Sequence, residues 1–381
     1  MKSLLNNLLL LLILYTASCS FQTSLFKEMN KKYINQNLII SPLSAYQVLG
    51  LTANGARGQT LKEMLLALGN QNLEELNEIN LAILNSIKNF TTIEIANAIM
   101  SIFEPEKEFL STAPKYGATI EPLKSVSQVN KWCEKKTHGK IKKILDNLDK
   151  DTFIILLNAV YFKGMWLNKF NKYLTSKKPF YNFNDKSKEI KVDRMSITDY
   201  FRYYENNELQ IVELPYKKDS MSAVIILPSK NSNINEFISK LDDDNLQNLF
   251  GKMYGSKVHL CLPKFELTFN SGLNDVLKKL GMITPFIKLS ADFPGLKKEL
   301  KQTEHIFIDK VIQKTFLKVD EEGTEAAAVT MVIGKMKITS VKRAPKIYPM
   351  IVDRPFLFLL RNKNLPKNHE LLFMSKIEEL K

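Results

Sequence analysis

The sequence predicts one domain of mixed α and β structure, with helices concentrated early in the chain and strands late. Apolar residues recur at helical spacing within residues 41–68, and an almost continuously apolar run, Phe153–Phe162, separates this region from alternating, strand-like segments. Apolar residues make up 45% of the 381 residues, which allows a large core. No Pro/Gly/Ser-rich linker, low-complexity tract or repeat divides the chain, so we expect a single domain over residues 21–381.

Residues 1–20 have the pattern of a secretory signal peptide. Lys2 provides the positive start, Leu8–Leu14 the apolar core, and Ala17–Ser20 the small-residue cleavage zone. The apolar stretch is too short to span a bilayer, and no other segment approaches the required length. We therefore expect a secreted, extracellular protein without a membrane span. The alternative is an N-terminal anchor that is never cut.

Helical patterns occupy five regions. In the first, Leu61, Met64, Leu65 and Leu68 share one helix face, and Gly69 ends the pattern. The other helical regions are residues 72–88, 126–148, 234–250 and 272–280.

Strand patterns cover most of the remaining chain. Phe153–Phe162 has the composition of a strand that is covered on both faces. Further strand-like segments are residues 91–102, 209–214, 221–227, 257–269 and 346–378, the last with turns at 362–368. This order favours a mixed fold without regular βαβ winding.

The residues that commonly carry catalysis or bind metals form no recognisable motif. The four histidines, His138, His259, His305 and His369, are isolated from one another, and HExxH, CxxC and GxSxG are absent. Cys133 and Cys261 are too few and too far apart for a disulfide framework, and the spacing around Cys133 predicts a buried free thiol. We expect neither an enzyme nor a metal or other cofactor. Asn89 lies in the chain's N-glycosylation sequon and is predicted to be exposed and glycosylated.

The formal net charge of +14 comes mainly from lysines spread along the chain. They are densest in one cluster, which comprises Lys131, Lys135, Lys136, Lys140, Lys142 and Lys143. This cluster is either a site for heparin-like anionic glycans or a solvated surface, and composition favours the latter. An exported chain without a reader motif is not expected to bind nucleic acid.

One segment near the C-terminus can form a strand with a small-residue face. It comprises Glu321, Glu322, Gly323, Thr324, Glu325, Ala326, Ala327, Ala328, Val329 and Thr330. At a period of two, Thr324, Ala326, Ala328 and Thr330 share one face, and all four are small. Gly323 provides the backbone freedom of a hinge. By composition alone, an alanine-rich surface helix is the favoured interpretation of the segment.

This hinge segment resembles the reactive-loop hinge of the serpins, and the resemblance extends over residues 21–381. The blocks that carry it occur in the family's order: Asn37–Ser44, Ala53–Thr60, Asn158–Trp166 with Phe170, Leu262–Phe265, Leu277–Gly281, Ala291–Phe293, Asp353–Phe356 and Phe373–Ser375. The resemblance implies a monomer with about eight or nine helices, three β-sheets and an exposed reactive loop at about 321–347. It also implies a suicide inhibitor, which traps a serine protease by inserting its cleaved loop into the central sheet.

The resemblance also suggests roles for several polar or aromatic residues. It places Asn158, the one polar residue in an apolar strand, where the sheet opens, beside Ser41 and Ser44. The family commonly has a histidine ten residues before the hinge glycine, whereas Gln313 stands there in this chain. Glutamine can keep the hydrogen bonds but does not titrate, so no pH gating is expected there. Trp166 is similar to the tryptophan beside the entry point of the loop.

Counting along the loop suggests the cleaved bond. In the family that this chain resembles, the cleaved bond usually follows the residue fourteen beyond the hinge glycine. That residue is Lys337 here, which implies the bond Lys337–Ile338 and a trypsin-like target, since a lysine suits an acidic specificity pocket. Counting back from Asp353–Phe356 instead favours Arg343–Ala344. Met336 is a third candidate and would indicate a chymotrypsin-like protease. We prefer Lys337, because the inserted side must match a fixed strand length.

Two other functions fit the sequence. The first is a non-inhibitory serpin that acts as a carrier, chaperone or storage protein, although such members commonly have bulky, charged or proline-bearing hinges. The second is a basic secreted protein that binds anionic glycans and uses no loop chemistry.

Overall fold

Nine α-helices and three β-sheets form the part of the chain that the computed structural model describes, which is residues 20–87, 93–149, 152–217, 220–297, 305–324, 345–366 and 368–381. The helices are α1 Phe21–Lys32, α2 Pro42–Gly55, α3 Gly58–Leu68, α4 Leu73–Ile87, α5 Lys107–Thr112, α6 Val126–Lys136, α7 Ile234–Ser239, α8 Asp243–Lys252 and α9 Asn274–Lys279. The predicted fold class is therefore confirmed.

The first nine strands are β1 Leu38–Ile40, β2 Ile93–Ser101, β3 Ala118–Pro122, β4 Ile154–Phe162, β5 Gly164–Met165, β6 Ser176–Tyr181, β7 Glu189–Glu205, β8 Leu209–Pro215 and β9 Met221–Pro228. The others are β10 Tyr254–Pro263, β11 Phe265–Gly272, β12 Lys310–Val319, β13 Gly323–Thr324, β14 Ile347–Ile351, β15 Phe356–Asn362 and β16 Leu371–Ile377.

The five-stranded sheet, called the central sheet below, has the order β11-β12-β4-β2-β3. Every residue of β4 is buried, as predicted from its apolar composition. One face packs on α2 and the main core, while α6 and residues 137–149 cover the other with Val129, Trp132 and Leu145. Strands β12 and β4 pair in parallel from Lys310↔Ile155 to Phe316↔Tyr161, and β12 continues beyond that last pair to Val319.

Helix α2 lies inside the molecule. Pro42 occupies its first turn, and the Ser41 hydroxyl caps it by accepting a hydrogen bond from the Ser44 N–H. Asn54 is the only residue of the helix that is not buried. A helix covered on all sides belongs to the core. This position brings the N-terminus of α2 against the central sheet.

The largest sheet contains nine strands. Eight follow the order β1-β16-β15-β9-β8-β7-β10-β14, and β6 pairs with β7. Strand β14, which lies near the start of the described range 345–366, pairs in parallel with β10. The third sheet consists of β13 and β5.

The structure corrects several element predictions. The strand-like region 257–269 is two strands in two sheets, because Lys264 separates β10 from β11 and its N–H bonds to the Asp193 carbonyl. The helical region 234–250 is two helices, since Asn233 and Asp242 each cap a separate start. The helix predicted at 126–148 ends at Lys136. Helix α1 was not identified from the sequence.

Candidate functional site

A row of buried amide side chains crosses the central sheet. Gln313 of β12 lies opposite Asn158 of β4, and Asn158 lies opposite Asn97 of β2. The Gln313 Nε2 donates to the Asn158 Oδ1 at 2.6 Å, and the Asn158 Nδ2 donates to the Asn97 Oδ1. All three side chains are almost completely buried. The row therefore joins three adjacent strands through polar groups within an apolar sheet.

The N-terminus of α2 completes this network. The Gln313 Oε1 accepts from the Ser41 N–H at 2.9 Å, and its Nε2 donates to the Ser41 carbonyl at 2.9 Å. The Ser44 hydroxyl donates to the Asn97 Oδ1 at 3.2 Å and accepts from the Asn158 Nδ2. The structure thus brings together Ser41, Ser44, Asn158 and Gln313, and the glutamine that stands in place of the family's common histidine both donates and accepts hydrogen bonds there. Their role in sheet opening stays a prediction.

Asn97 was missed by the sequence analysis. It is a polar residue within an apolar strand, as Asn158 is, and that signal could have identified it. Among the residues that the structure describes, its Nδ2 finds no hydrogen-bond partner, although the atom is buried.

Asn158→Ala is expected to lower the free energy of unfolding by about 1–3 kcal/mol, because it leaves the Gln313 amide and the Ser44 hydroxyl without their buried partner. Urea denaturation of the native form measures the change. Asn207→Ala removes an exposed asparagine from the β7–β8 turn and should change stability by no more than about 0.5 kcal/mol. Equal effects of the two substitutions would contradict the importance of the network.

After β12 the chain turns sharply at Asp320–Gly323. The Asp320 N–H donates to the Gly323 carbonyl at 2.9 Å, and the Asp320 side chain accepts from the Glu322 N–H at 2.9 Å. Gly323 and Thr324 then pair with Met165 and Gly164 as an antiparallel ladder. The chain therefore reverses direction and begins to run back beside the continuation of β4.

Gly323 is required here by a close backbone approach. Its φ is +155°, and a Cβ atom would lie 2.0 Å from the Gly164 carbonyl oxygen. The small residue expected for a hinge is thus also necessary for β13 to pair with β5.

Thr324 is completely buried where this short ladder ends. Its hydroxyl lies 2.8 Å from the Tyr216 hydroxyl. Burial raises the pKa of Tyr216 well above its usual value, so the phenol stays neutral. The prediction of an exposed loop from Glu321 onward is wrong for its first residues, since the turn at Asp320 places Glu321, Gly323 and Thr324 in the interior.

Trp166 lies directly against the turn. Its indole Nε1 donates to the Asp320 carbonyl at 2.9 Å, and its backbone N–H donates to the Glu322 carbonyl at 3.1 Å. The indole stacks on Tyr216 with ring centroids 4.5 Å apart. Trp166 is therefore beside the hinge, as the resemblance implied, and contacts it through both backbone and side chain.

Three lysines hold the two glutamates of the turn. Glu321 pairs with Lys264 at 2.9 Å and accepts a hydrogen bond from Thr175, and these interactions outweigh burial and lower the pKa of Glu321. A hydrogen bond from Lys169, with a second from Lys172 at 3.0 Å, lowers the pKa of Glu322. Both carboxylates thus anchor the start of the loop to residues distant in sequence.

The other predicted loop residues lie outside the described residues. These are Glu325, Ala326, Ala327, Ala328, Val329 and Thr330 of the hinge, and Met336, Lys337, Ile338, Arg343 and Ala344 of the candidate bonds. Asn89 and residues 1–19 of the predicted signal peptide also lie outside them. Ile347, the predicted end of the loop, is the first residue of β14.

The basic cluster is exposed on α6 and the segment that follows it. Lys143 pairs with Asp146 at 2.5 Å, and Lys140 lies over the Phe316 ring. Cys133 is buried and free, as predicted, and burial raises its pKa to about 12. Within the described ranges, no helix is long and apolar enough to span a bilayer, and no three His, Cys, Asp or Glu side chains cluster as a metal site would require.

Comparison with known proteins supports the resemblance. Residues 16–380 match the family model described as "Serpin (serine protease inhibitor)". Iripin-2 of Ixodes ricinus is 30% identical over 366 residues, which cover 91% of this chain and 88% of the relative. The leukocyte elastase inhibitor of Xenopus laevis is 30% identical over 370 residues, which cover 92% of this chain and 95% of that protein.

Solved structures show the same fold. The native state of tengpin, a thermophilic serpin, superposes with a TM-score of 0.83 at 31% identity and covers 95% of this chain and 92% of its own. Human thyroxine-binding globulin, solved with thyroxine, has a TM-score of 0.81 at 22% identity, with 95% and 96% covered, and that similarity concerns the fold alone. The family model, these relatives and the architecture described above agree: the chain belongs to the serpin family.

Proposed function

We propose that this serpin is exported and acts as a suicide inhibitor of a trypsin-like serine protease. The protease's serine attacks the carbonyl carbon of Lys337, the Lys337–Ile338 amide breaks, and Ile338 leaves as a free amine. Lys337 remains esterified to the protease. Insertion of the cleaved loop into the central sheet then outpaces the attack of water on the ester, so that the protease stays covalently bound.

The observation that carries this proposal is the pairing of Gly323 and Thr324 with β5. Hydrogen bonding between β12 and β4 ends at Phe316↔Tyr161, and the chain beyond β12 already turns back there as a two-residue strand. Lengthening that strand requires β4 and β12 to separate and the following residues to enter between them. Strand addition gives the entering segment a full backbone ladder.

The alternating small residues of the loop favour such an insertion. If Thr324 faces the interior, a strand of period two directs Ala326, Ala328 and Thr330 to the same side. Each of these side chains is small, so their burial needs little displacement of the core. We propose that this pattern keeps the insertion barrier low enough to compete with deacylation.

The choice of Lys337 rests on this same geometry. The inserted strand starts at a fixed place, Thr324, and its length is limited by the length of β4 and β12. The cleaved bond should therefore be counted from the hinge. Arg343–Ala344 would also direct inhibition to a trypsin-like protease, whereas Met336 would direct it to a chymotrypsin-like one.

Two alternatives remain to be distinguished. A non-inhibitory carrier is the first, because thyroxine-binding globulin shares the fold, but Gly323 and Thr324 of this hinge are small and already paired as a strand. A glycan-binding protein is the second alternative, because the lysine cluster is exposed. Retention on heparin without any protease adduct would favour the glycan-binding protein.

Incubation with trypsin is expected to give an adduct that resists SDS and a released peptide whose first residue is Ile338. Denaturing electrophoresis and N-terminal sequencing measure both. Lys337→Ala should abolish the adduct with trypsin, while the matched control Arg343→Ala should leave it intact. A peptide that begins at Ala344 would move the reactive bond to Arg343, and complete cleavage without any adduct would refute inhibition.

A further inference from the structure

Asp243, the first residue of α8, is a buried carboxylate that receives the start of the described chain. The Ser20 backbone nitrogen lies 2.5 Å from its Oδ2, and the Ser20 hydroxyl lies 2.8 Å from its Oδ1. Gln22 Nε2 and the Thr23 hydroxyl donate to the same carboxylate at 2.9 and 2.7 Å. The side chain of Asp243 therefore binds the first turn of α1 to the start of α8.

The environment of Asp243 differs from that of other buried acids in this molecule. Glu213 pairs with Arg202 and Lys363, Glu370 with Arg361, and Glu378 with Lys376. No ion pair in the described part of the chain includes Asp243, which is only 6% exposed and is bonded solely to neutral donors. Burial of a carboxylate is costly, and a cationic partner reduces the cost.

The peptide bond just before Ser20 lies in the signal-peptide cleavage zone. Ala17 and Cys19 stand three residues and one residue before this bond, and both are small, as signal peptidases require. Both the side chain and the backbone nitrogen of Ser20 bond to Asp243.

We propose that export cuts the Cys19–Ser20 bond and that the new α-ammonium group of Ser20 forms a buried ion pair with Asp243. Hydrolysis adds water across the amide, so that Cys19 leaves with the carboxylate and Ser20 keeps the amine, which takes up a proton. The nitrogen that already lies 2.5 Å from Asp243 thereby acquires a positive charge. This inference rests on the export included in the proposed function and not on inhibition of a protease.

The ion pair makes stability depend on pH above neutrality. An α-amino group in an unfolded chain has a pKa of about 7.7–8.0, and pairing with Asp243 raises the value in the folded protein. Its stabilisation is therefore complete below about pH 7.7 and is lost as the pH rises through the raised folded pKa.

Other ionisable groups lie near Asp243. His369 interacts with it electrostatically, Tyr46 packs on the His369 ring, Glu370 follows His369, and Asp242 and Asp244 are its neighbours at the start of α8. Burial lowers the pKa of His369 to about 4 and raises the pKa of Tyr46 well above its usual value. Glu370 is bonded to Arg361 at 2.7 Å. His369 and Tyr46 therefore do not change charge between pH 7 and 10, whereas the amine does.

The first test is the N-terminus of the exported protein. The full chain, including residues 1–19, is secreted from insect cells, and its first residue is determined by sequencing and intact mass. Ser20 is the expected first residue. Any other first residue, including a Cys19 that carries acyl chains, would overturn the proposal.

The second test compares thermal unfolding at pH 7 and pH 10. A single glycine inserted between Cys19 and Ser20 keeps the Ser20 N–H as a donor but moves the charge away. The Ser20-first protein should lose about 3–5 °C more in Tm between the two pH values than the glycine-extended control. When Asp243→Asn is introduced into both proteins, the difference between their losses of Tm should disappear. Equal losses of Tm in the Ser20-first protein and the glycine-extended control would refute the ion pair. The trypsin adduct assay measures inhibition separately.

Discussion

Thr324→Glu is expected to convert the inhibitor into a substrate, lowering the yield of covalent protease adduct at least about tenfold. Thr324 is fully buried beside Tyr216, and an inserted strand must keep it there. In the uncleaved protein a glutamate can reach solvent when the two-residue strand β13 unpairs, whereas an inserted strand would hold the same charge unpaired in the interior, at a cost of several kcal/mol. Each 1.4 kcal/mol added to the insertion barrier slows insertion about tenfold. Deacylation would then precede insertion and release active protease. Glutamate creates no new site for trypsin.

Ala327→Glu is the matched control, since it places the same charge in the same loop. At a period of two it faces away from the interior, so the yield of adduct should stay near that of the unmodified protein. Titration of trypsin activity against inhibitor concentration gives the stoichiometry for each variant. Loss of inhibition by Ala327→Glu, or its retention by Thr324→Glu, would contradict the assignment of the interior face.

Elements that depend on local patterns could be predicted from the sequence. The apolar run at Phe153–Phe162 predicted a strand covered on both faces, and β4 is such a strand. The amide of Asn158 within that run indicated a site that needs buried polar partners. Periodic helices with clear ends, such as α3 before Gly69, were also predicted, because apolar spacing and a left-handed C-cap glycine are local signals.

Contacts between segments that are distant in sequence could not be predicted from local patterns. Glu321 and Glu322 were expected at the start of an exposed loop, yet Lys264, Lys169 and Lys172 hold them against the fold. Only the tertiary arrangement shows that the turn at Asp320 buries Thr324, and an exposed loop start was therefore expected. The division of residues 257–269 between two sheets had the same cause, since both strands have ordinary strand composition.

Anchoring at the hinge bears directly on the proposed mechanism. The turn is held by backbone bonds to Trp166 and Phe170 and by the lysines that bind Glu321 and Glu322. These contacts fix the position from which a strand would grow, while the amide row of Gln313, Asn158 and Asn97 links the strands that would have to separate. Firm anchors beside a separable sheet favour insertion from one defined point.

Cleavage of the loop without trapping is expected to raise Tm by at least about 10 °C. A metalloprotease that cuts between Thr330 and Ala344 suits the experiment, because it activates water and forms no acyl-enzyme. Insertion would add roughly one net hydrogen bond of about 1 kcal/mol for each of about ten residues, together with buried apolar surface, which amounts to a gain on the order of 10 kcal/mol. Calorimetric scans of intact and cleaved protein measure the shift. Both scans use one heating rate, because unfolding of such proteins is under kinetic control.

The Thr324→Glu variant, cleaved at the same bond, should show a far smaller rise in Tm, since its strand cannot enter the sheet. An unchanged Tm after complete cleavage of the unmodified protein would show that the loop does not insert, and the inhibitory mechanism proposed for this serpin would then be wrong.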